Sequence, residues 1–346
     1  AGFSTGLIYT PSCYAEEKEI IELAKVIAPY DGIYASHMRN ESNEIVAAVK
    51  ETINVGRQAG VRVDISHHKM LGKPNWGKQK ETLGLIHEAR AEGIQVICDQ
   101  YPYTCNMTTL NACMPPWYFE NGFSSMTEKL KDQEFRKKLR AEMEDPNTPY
   151  DNYYLNAGGW SGVYVYSSPK TPDAEGKFIT EYAQEIGKDP WEAFFDLCVA
   201  NNCETGGVYS SMCDEDVCEI IQDPYCVVGS DGLTRSWKEK GHPRASGTFP
   251  HTITYFVKEK GILTLEQAIH KMTGLTAEYL LVKNKGLIRN GYDADILIFD
   301  EERFRDTATY RNSNSITEGL DYVFVNGQLV YHDKKFTGAM PGRLIR

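Results

Sequence analysis

The sequence predicts an α/β fold in which parallel strands alternate with covering helices, followed by a smaller antiparallel β unit. Helix and strand patterns alternate about every 30 residues near the start of the chain, the length of a βα unit. Two of these strands end at a histidine and an aspartate follows a third. Tight-turn signals and short apolar runs then dominate about the last fifty residues, as antiparallel strands require.

Three helical faces come first, each marked by apolar residues three or four positions apart. They contain Ile20, Leu23, Ala24 and Ile27, then Ile45, Val49 and Ile53, then Leu83, Ile86 and Ala89. A glycine ends each helix, and a short β-rich run follows directly at residues 33–36, 61–66 and 94–98. This order predicts parallel strands with helices outside them.

The regular alternation lapses between residues 114 and 168, where Pro, Asn, Gly, Tyr and Trp are frequent. A long aromatic insertion on a barrel either covers its mouth or is a plain surface excursion, and the sequence leaves both open. The βα pattern resumes with a helix at 190–200 and strands at 206–211 and 225–229.

The pattern of the chain changes again after Thr264, which is placed to cap a helix together with Gln267. A dense apolar strand follows at 294–299. The pair Asn326-Gly327 then separates two further apolar runs, which predicts a tight hairpin. These signals indicate antiparallel β structure at the end of the chain.

Composition limits the possible partners. The 346 residues include 37 basic and 48 acidic side chains, for a net charge of -11, and no basic stripe is present to neutralise phosphates, so we expect no nucleic-acid partner. No apolar stretch approaches the roughly 18 residues of a membrane span. Nine irregularly spaced cysteines favour reduced thiols and a cytoplasmic location. The oligomeric state stays open.

His37 and His67 are the leading candidates for metal ligands. Each follows a serine at the end of a predicted strand, and neutral imidazoles on adjacent strands can converge on one zinc ion. His68 is an alternative to His67. Because Val61, Val63, Ile65 and His67 share one strand face, we assign His67 to the metal and expect His68 to be packed or to support the site.

Asp231 follows the apolar run at 225–229 and precedes a glycine. Such a pair is often only a turn, but a carboxylate at the last strand of a metal barrel can act as general base and return the proton to a leaving amine. Lys69 and Tyr101 follow two other strands and could bind a substrate carboxylate or polarise a carbonyl oxygen. A solvated lysine and a packed tyrosine are the alternatives.

Five segments together resemble the D-aminoacylases, or N-acyl-D-amino-acid deacylases, of the amidohydrolase superfamily. They are GFSTGLIY at 2–9, YASHMRNE at 34–41, ISHHK at 65–69, DQYPY at 99–103 and GSDG at 229–232. The resemblance implies part of a TIM-like (β/α)8 barrel over residues 1–284, with the insertion near 114–168, and part of a small β-sandwich over 285–346.

The resemblance also implies zinc-dependent hydrolysis of the amide bond of an N-acyl-D-amino acid. His37 and His67 would be the ligands on strands five and six of the barrel, holding one tight zinc. Asp231 would be the catalytic base and a possible ligand of a second, weaker metal. Lys69 and Tyr101 would hold the α-carboxylate of this small-molecule substrate.

One feature departs from the family pattern. The superfamily carries an H-x-H pair on its first barrel strand and this subfamily adds an upstream cysteine ligand, but the chain has no H-x-H and its first methionine is Met38. We therefore expect the N-terminal strands to be missing. Two alternatives to the deacylase remain: a cyclic-amide hydrolase of the hydantoinase or dihydroorotase type, and a non-catalytic fragment.

Overall fold

The computed structural model describes residues 2–234 and 236–345. Its strands are β1 (Gly2–Gly6), β2 (Ile33–His37), β3 (Arg62–Ile65), β4 (Val96–Gln100), β5 (Cys105–Thr109), β6 (Val163–Ser167), β7 (Lys177–Phe178), β8 (Gly206–Ser210), β9 (Cys226–Val228), β10 (Ile296–Phe299), β11 (Leu320–Val325), β12 (Gln328–His332) and β13 (Lys335–Phe336).

The α-helices are α1 (Glu17–Lys25), α2 (Ile45–Ala59), α3 (Gln79–Ala91), α4 (Gly122–Lys129), α5 (Gln133–Met143), α6 (Tyr153–Asn156), α7 (Ile179–Glu185), α8 (Pro190–Ala200), α9 (Asp214–Gln222), α10 (Arg244–His251), α11 (Leu265–Met272) and α12 (Gly274–Tyr279). A π-helical segment, Thr252–Glu259, continues α10.

The α/β prediction is confirmed by a five-stranded parallel sheet in the order β1-β2-β3-β4-β9. One face of this sheet is apolar and covered by helices: Val63 and Ile65 of β3 are fully buried in one core cluster with Ile53 of α2 and Ile86 of α3. All five strands point the same way, so the residues that follow them lie at one edge.

The expectation that residues 206–211 continue the parallel βα pattern is wrong. They form β8, which pairs antiparallel with β5 and β6 in a separate sheet of order β5-β8-β6-β7. The physical reason is that a short apolar run is equally suited to either kind of sheet, and its partner strand decides. The inserted unit therefore begins at β5, before the predicted position 114.

The inserted segment lies against the carboxyl edge of the parallel sheet. The Asp151 carboxylate accepts a hydrogen bond of 2.7 Å from the backbone N–H of Glu41, just beyond β2. Of the two possibilities that the sequence left open, this contact favours a cover over the mouth.

The last sheet, β10-β11-β12-β13, is antiparallel throughout. The predicted hairpin is confirmed: Asn326 and Gly327 join β11 to β12 with φ of 47° and 76°, the left-handed values of a tight turn. The predicted cap is also confirmed, because Thr264 and Gln267 bond reciprocally at the start of α11. Within the two described ranges, no helix has the length and apolarity to cross a membrane.

Candidate functional site

His37 and His67 lie side by side at the carboxyl edge of the parallel sheet. Their rings stand edge to face with centroids 4.6 Å apart. His37 ends β2, and its Nε2 atom is buried with no hydrogen-bond partner among the described residues. A buried ring nitrogen without a partner is a ready position for a metal ion or a substrate group.

His67 reaches the site through a backbone turn and not through strand alternation. Val63 and Ile65 face the helices, so a continued strand would direct His67 into the core. Instead β3 ends at Ile65 and His67 adopts φ of 42°. Its backbone N–H donates to Asp99 Oδ1 over 3.1 Å, which holds the turn in place. His68 is fully buried, with its Nε2 atom 2.9 Å from Thr82 Oγ1.

The Asp99 side chain packs so closely against the end of the neighbouring strand β9 that a glycine is required there. Gly229, just after β9, accepts no side chain, because a Cβ atom there would lie 2.2 Å from Asp99 Oδ1. The turn that presents His67 therefore depends on a small residue at the end of a different strand.

Glu41 completes a group of three possible ligands that the sequence reasoning missed. One ligand atom each from His37, Glu41 and His67 lie within 4.8 Å of one another. Glu41 Oε1 is 3.0 Å from His67 Nδ1, and Oε2 is 3.8 Å from His37 Nε2. The available signal was the spacing, since Glu41 follows His37 by four residues within the quoted YASHMRNE segment.

The electrostatics of this group suit a divalent cation. Burial lowers the pKa of His37 to about 3, so its imidazole is neutral at ordinary pH. Burial opposes ionisation of Glu41, but Lys69 and the two histidines outweigh it and hold the pKa of that carboxyl well below its usual range. Imidazole nitrogens and a carboxylate oxygen are the ligand types that zinc prefers. The residues present therefore fit a zinc ion.

Lys69 lies inside this group. Its ammonium is 2.5 Å from Glu41 Oε1 and 2.7 Å from His67 Nδ1, and the side chain is 3% exposed. The sequence assigned Lys69 to a substrate carboxylate, whereas here its charge is paired with Glu41. Tyr101 is buried nearby, and burial raises the pKa of its phenol well above the usual value, so it remains a hydrogen-bond donor.

Asp231 follows β9 and stands apart from the three possible ligands. It adopts φ of 46°, and its Oδ2 atom pairs with Arg244 Nη2 at 2.7 Å. The sequence offers Arg244 only as part of a weak motif near Asp231, with no predicted role. Its guanidinium is buried 4.7 Å from the centre of the Tyr101 ring, and its Nε atom has no partner among the described residues.

All five sequence-predicted residues open onto one cavity of about 380 Å³. His37, His67 and Lys69 line it together with Glu41, and Tyr101, Asp231 and Arg244 line it as well. The cavity therefore contains the possible zinc ligands, the Asp231 carboxylate, which could act as an acid and base, and the Arg244 guanidinium. The Nε–H group of Arg244 has no partner among the described residues. That combination suits metal-assisted hydrolysis of a substrate carrying a negative charge.

Comparisons with known proteins agree with this geometry. A model of the amidohydrolase family matches residues 217–331. A D-aminoacylase of Alcaligenes xylosoxydans xylosoxydans is 34% identical over 344 residues, which are 99% of this chain and 61% of that protein. An N-acyl-D-aspartate deacylase of the same organism is 32% identical, over 99% of this chain and 59% of its own length.

A solved structure shows the same fold. It is the N-acyl-D-glutamate deacylase of Bordetella bronchiseptica, complexed with zinc and a phosphonate inhibitor that mimics the tetrahedral intermediate of its reaction. It superposes with a TM-score of 0.80 at 30% identity, covering 100% of this chain and 62% of that chain. The chain spans about three-fifths of the length of the relatives it matches. It belongs to the D-aminoacylase and N-acyl-D-amino-acid deacylase family of amidohydrolases.

Proposed function

We propose that the chain hydrolyses the amide bond of N-acyl-D-amino acids in a zinc-dependent reaction that releases a carboxylate and a D-amino acid. The observation that carries this proposal is the shared cavity, in which His37, Glu41 and His67 converge opposite Asp231 and Arg244. The nine cysteines are free thiols, which supports the cytoplasmic location that we include in the proposal.

His37 and His67 are the proposed ligands of one tight zinc. Zinc bound there would supply Lewis-acid polarisation of the scissile carbonyl and activation of the attacking water. Glu41 is within reach of both imidazoles and would fix their orientation, as carboxylates beside metal-bound histidines commonly do. A second, weaker metal at Asp231 stays a prediction.

Asp231 is the proposed general base and acid. Its carboxylate would accept a proton from water and donate it to the departing amine nitrogen. Arg244 Nη2, at 2.7 Å from Asp231 Oδ2, would hold the carboxylate in position in the cavity.

Arg244 and Tyr101 are the proposed anchors of the α-carboxylate. Arg244 offers a buried Nε donor with no partner in the described part of the chain, and Tyr101 offers a phenolic hydroxyl beside it. Lys69 also lines the cavity and would add its charge to this end of the substrate, although it pairs with Glu41. The preference for the D series rests on the names of the relatives.

The proposal is tested by assaying the zinc-loaded chain on N-acetyl-D-leucine, N-acetyl-L-leucine and the hydantoin that carries the same side chain. We expect hydrolysis of the D amide, with the L amide and the ring cleaved much more slowly. Faster opening of the hydantoin would favour the cyclic-amide hydrolase. A zinc-loaded chain that cleaves none of the three would refute the proposal.

A further inference from the structure

His242 is a fully buried histidine beside the proposed active site, with its ring centroid 6.0 Å from that of Tyr101. It stands two residues before Arg244, the first residue of α10. Both of its ring nitrogens have hydrogen-bond partners, whereas His37 and His68 each keep one buried nitrogen without a partner among the described residues. Both ends of the His242 ring are therefore held by the surrounding chain.

The two partners of His242 fix its protonation. The backbone N–H of Arg244 can only donate, so Nδ1 of His242, 3.0 Å away, is the unprotonated acceptor. The Cys105 carbonyl can only accept, so Nε2, at 2.9 Å, carries the proton. Burial also lowers the pKa of His242 well below its usual range, in keeping with a neutral ring. His242 thus adopts one tautomer and joins the start of α10 to the start of β5.

The bond to Nδ1 of His242 fixes the point at which α10 begins. The first N–H groups of an α-helix have no partner inside the helix, and Nδ1 satisfies that of Arg244. From this point the Arg244 side chain reaches Asp231 Oδ2 at 2.7 Å. Its guanidinium carbon lies 4.7 Å from the centre of the Tyr101 ring, and its Nε–H has no partner in the described part of the chain. The place of this donor in the cavity therefore depends on His242.

Two tyrosines contact the His242 ring edge to face. The ring centroids of Tyr103 and Tyr310 each lie 5.1 Å from that of His242, at interplanar angles of 86° and 90°. Contacts of this geometry favour one orientation of the ring. Tyr103 belongs to the short segment between β4 and β5, whereas Tyr310 belongs to the connection between β10 and β11. The antiparallel unit thus reaches the site through Tyr310.

Ser313, in the same connection between β10 and β11, bonds to the chain on both sides of His242. Its Oγ atom accepts a hydrogen bond of 3.0 Å from the Gly241 N–H, and its carbonyl accepts one of 2.7 Å from Ser246 Oγ in α10. Ser313 is 4% exposed, so these bonds are shielded from water. Ser313 therefore fixes the backbone on either side of the histidine.

Asn314 holds the loop that precedes Gly241. Its Nδ2 atom donates to the carbonyl oxygens of Trp237 and Glu239 at 2.8 and 2.6 Å. These two residues belong to the stretch that connects Asp231 to α10. One short connection of the antiparallel unit thus fixes the segment that carries the groups assigned to the substrate.

We propose that His242 is a positioning residue that aligns Arg244 with the α-carboxylate of the substrate. Ser313 and Asn314 complete this arrangement, so the C-terminal antiparallel unit takes part in substrate recognition without touching the substrate. The inference rests on the proposed function and deepens it by naming the groups that align the carboxylate anchor. Loss of His242 then weakens binding of the carboxylate and leaves the zinc in place.

The test uses two substitutions that each keep one hydrogen bond of His242. His242→Asn places an amide oxygen where Nδ1 accepts from Arg244, as asparagine does in turns, whereas His242→Gln places an amide N–H where Nε2 donates to Cys105. Both kcat and KM are measured on N-acetyl-D-leucine and on its methyl ester. For His242→Gln we expect a roughly ten- to hundredfold loss of kcat/KM on the acid, chiefly through KM, and little change on the ester. The loss for His242→Asn should be smaller.

Arg244→Met separates positioning from a general loss of structure. If His242 acts through Arg244, then His242→Gln has little further effect on the acid once Arg244 is replaced by methionine. Additive losses on the acid, equal losses on acid and ester, or loss of bound zinc from His242→Gln would each overturn the inference.

Ser313→Ala and Asn314→Ala test the contribution of the antiparallel unit, and they keep the inference testable if the His242 variants do not fold. Each removes neutral hydrogen bonds, so we expect a loss of roughly three- to tenfold in kcat/KM on the acid and not on the ester. Asn312→Ala, at an exposed position of the same connection, is the matched control. Wild-type values for Ser313→Ala and Asn314→Ala, or an equal loss in the control, would overturn the role of this unit.

The outcomes separate this inference from the proposed function. Turnover by the wild type with unchanged values for every His242 variant overturns the positioning role and leaves the deacylase in place. If the wild type hydrolyses nothing, the proposed function fails, and calorimetric titration with N-acetyl-D-leucine and its methyl ester decides the inference. Tighter binding of the acid than of the ester, weakened about tenfold in His242→Gln, supports it. Acid bound no more tightly than ester by the wild type, or no weakening in the variant, overturns it.

Discussion

The Lys69 ammonium lies 2.5 Å from Glu41 Oε1, and both side chains are at most 3% exposed. The same ammonium is 2.7 Å from His67 Nδ1. One buried ion pair thus joins the loop after β2 to the loop after β3 at the point where the two histidines meet. Each charge depends on the other, because both side chains are buried and a buried charge without a partner is costly.

Replacing one member of the Lys69–Glu41 ion pair should destabilise the chain more than replacing both. Glu41→Gln leaves a buried lysine without its counter-charge, which costs about 3–5 kcal/mol of unfolding free energy. Adding Lys69→Met should recover part of that loss. Chemical denaturation of the two single variants and the double variant measures this coupling, and strictly additive effects would show that the pair contributes nothing as a pair.

Zinc binding should depend specifically on His37 and His67, and not on the total number of histidines in the chain. We expect about one tightly held zinc per chain after dialysis, falling to a small fraction for His37→Ala or His67→Ala. His87→Ala is the matched control, because His87 is 47% exposed and pairs with Asp223 away from this cavity. Zinc retained by the His37 and His67 variants, or lost by the control, would place the metal elsewhere.

His68 should make the fold sensitive to acid. Burial lowers the pKa of His68 to about 3, against about 6.5 in an unfolded chain. Between these pH values His68 is protonated in the unfolded chain but neutral in the folded chain. The free energy of unfolding therefore falls as the pH drops from about 6.5 toward 3.

The variant His68→Leu should weaken that acid dependence. The Thr82 hydroxyl loses His68 as a partner in this variant, but it still donates a hydrogen bond of 3.1 Å to the Gln79 carbonyl. Denaturation midpoints at pH 7 and pH 4.5 provide the measurement. Wild type should lose more stability than the variant between the two, and parallel losses would contradict a buried neutral His68.

Arg244→Met should impair substrates that carry an α-carboxylate. Loss of a charged hydrogen bond of about 1.5–3 kcal/mol predicts a decrease in kcat/KM of roughly ten- to hundredfold. The methyl ester of the same N-acyl amino acid is the control, since it has no carboxylate for Arg244 to hold. An equal loss on acid and ester would assign Arg244 to Asp231 alone and not to the substrate.

Parallel topology explains how much of the site could be predicted. His37 ends one strand of the parallel sheet, and His67 and Asp231 follow two others. Such a sheet brings the carboxyl ends of its strands to one edge. Recognising these parallel strands in the sequence therefore also identifies the side chains that converge at their carboxyl ends.

The remaining residues depend on loop paths that local pattern does not encode. Glu41 reaches His67 because the loop after β2 is held by Asp151, more than a hundred residues away, and by the Leu71 N–H at 2.7 Å. His67 itself points into the cavity through a left-handed turn and not through strand alternation. Likewise, residues 206–211 are a strand as predicted, but their partners lie in the insertion.

Asp231→Asn tests the central claim most directly. The initial rate of D-amino acid release from N-acetyl-D-leucine is measured for the zinc-loaded wild type and variant side by side, together with their bound zinc. We expect wild-type zinc content and a rate reduced by at least roughly a hundredfold, since a positioned general acid and base contributes about that much or more. A variant that keeps its zinc and hydrolyses the substrate at the wild-type rate would contradict the proposed reaction.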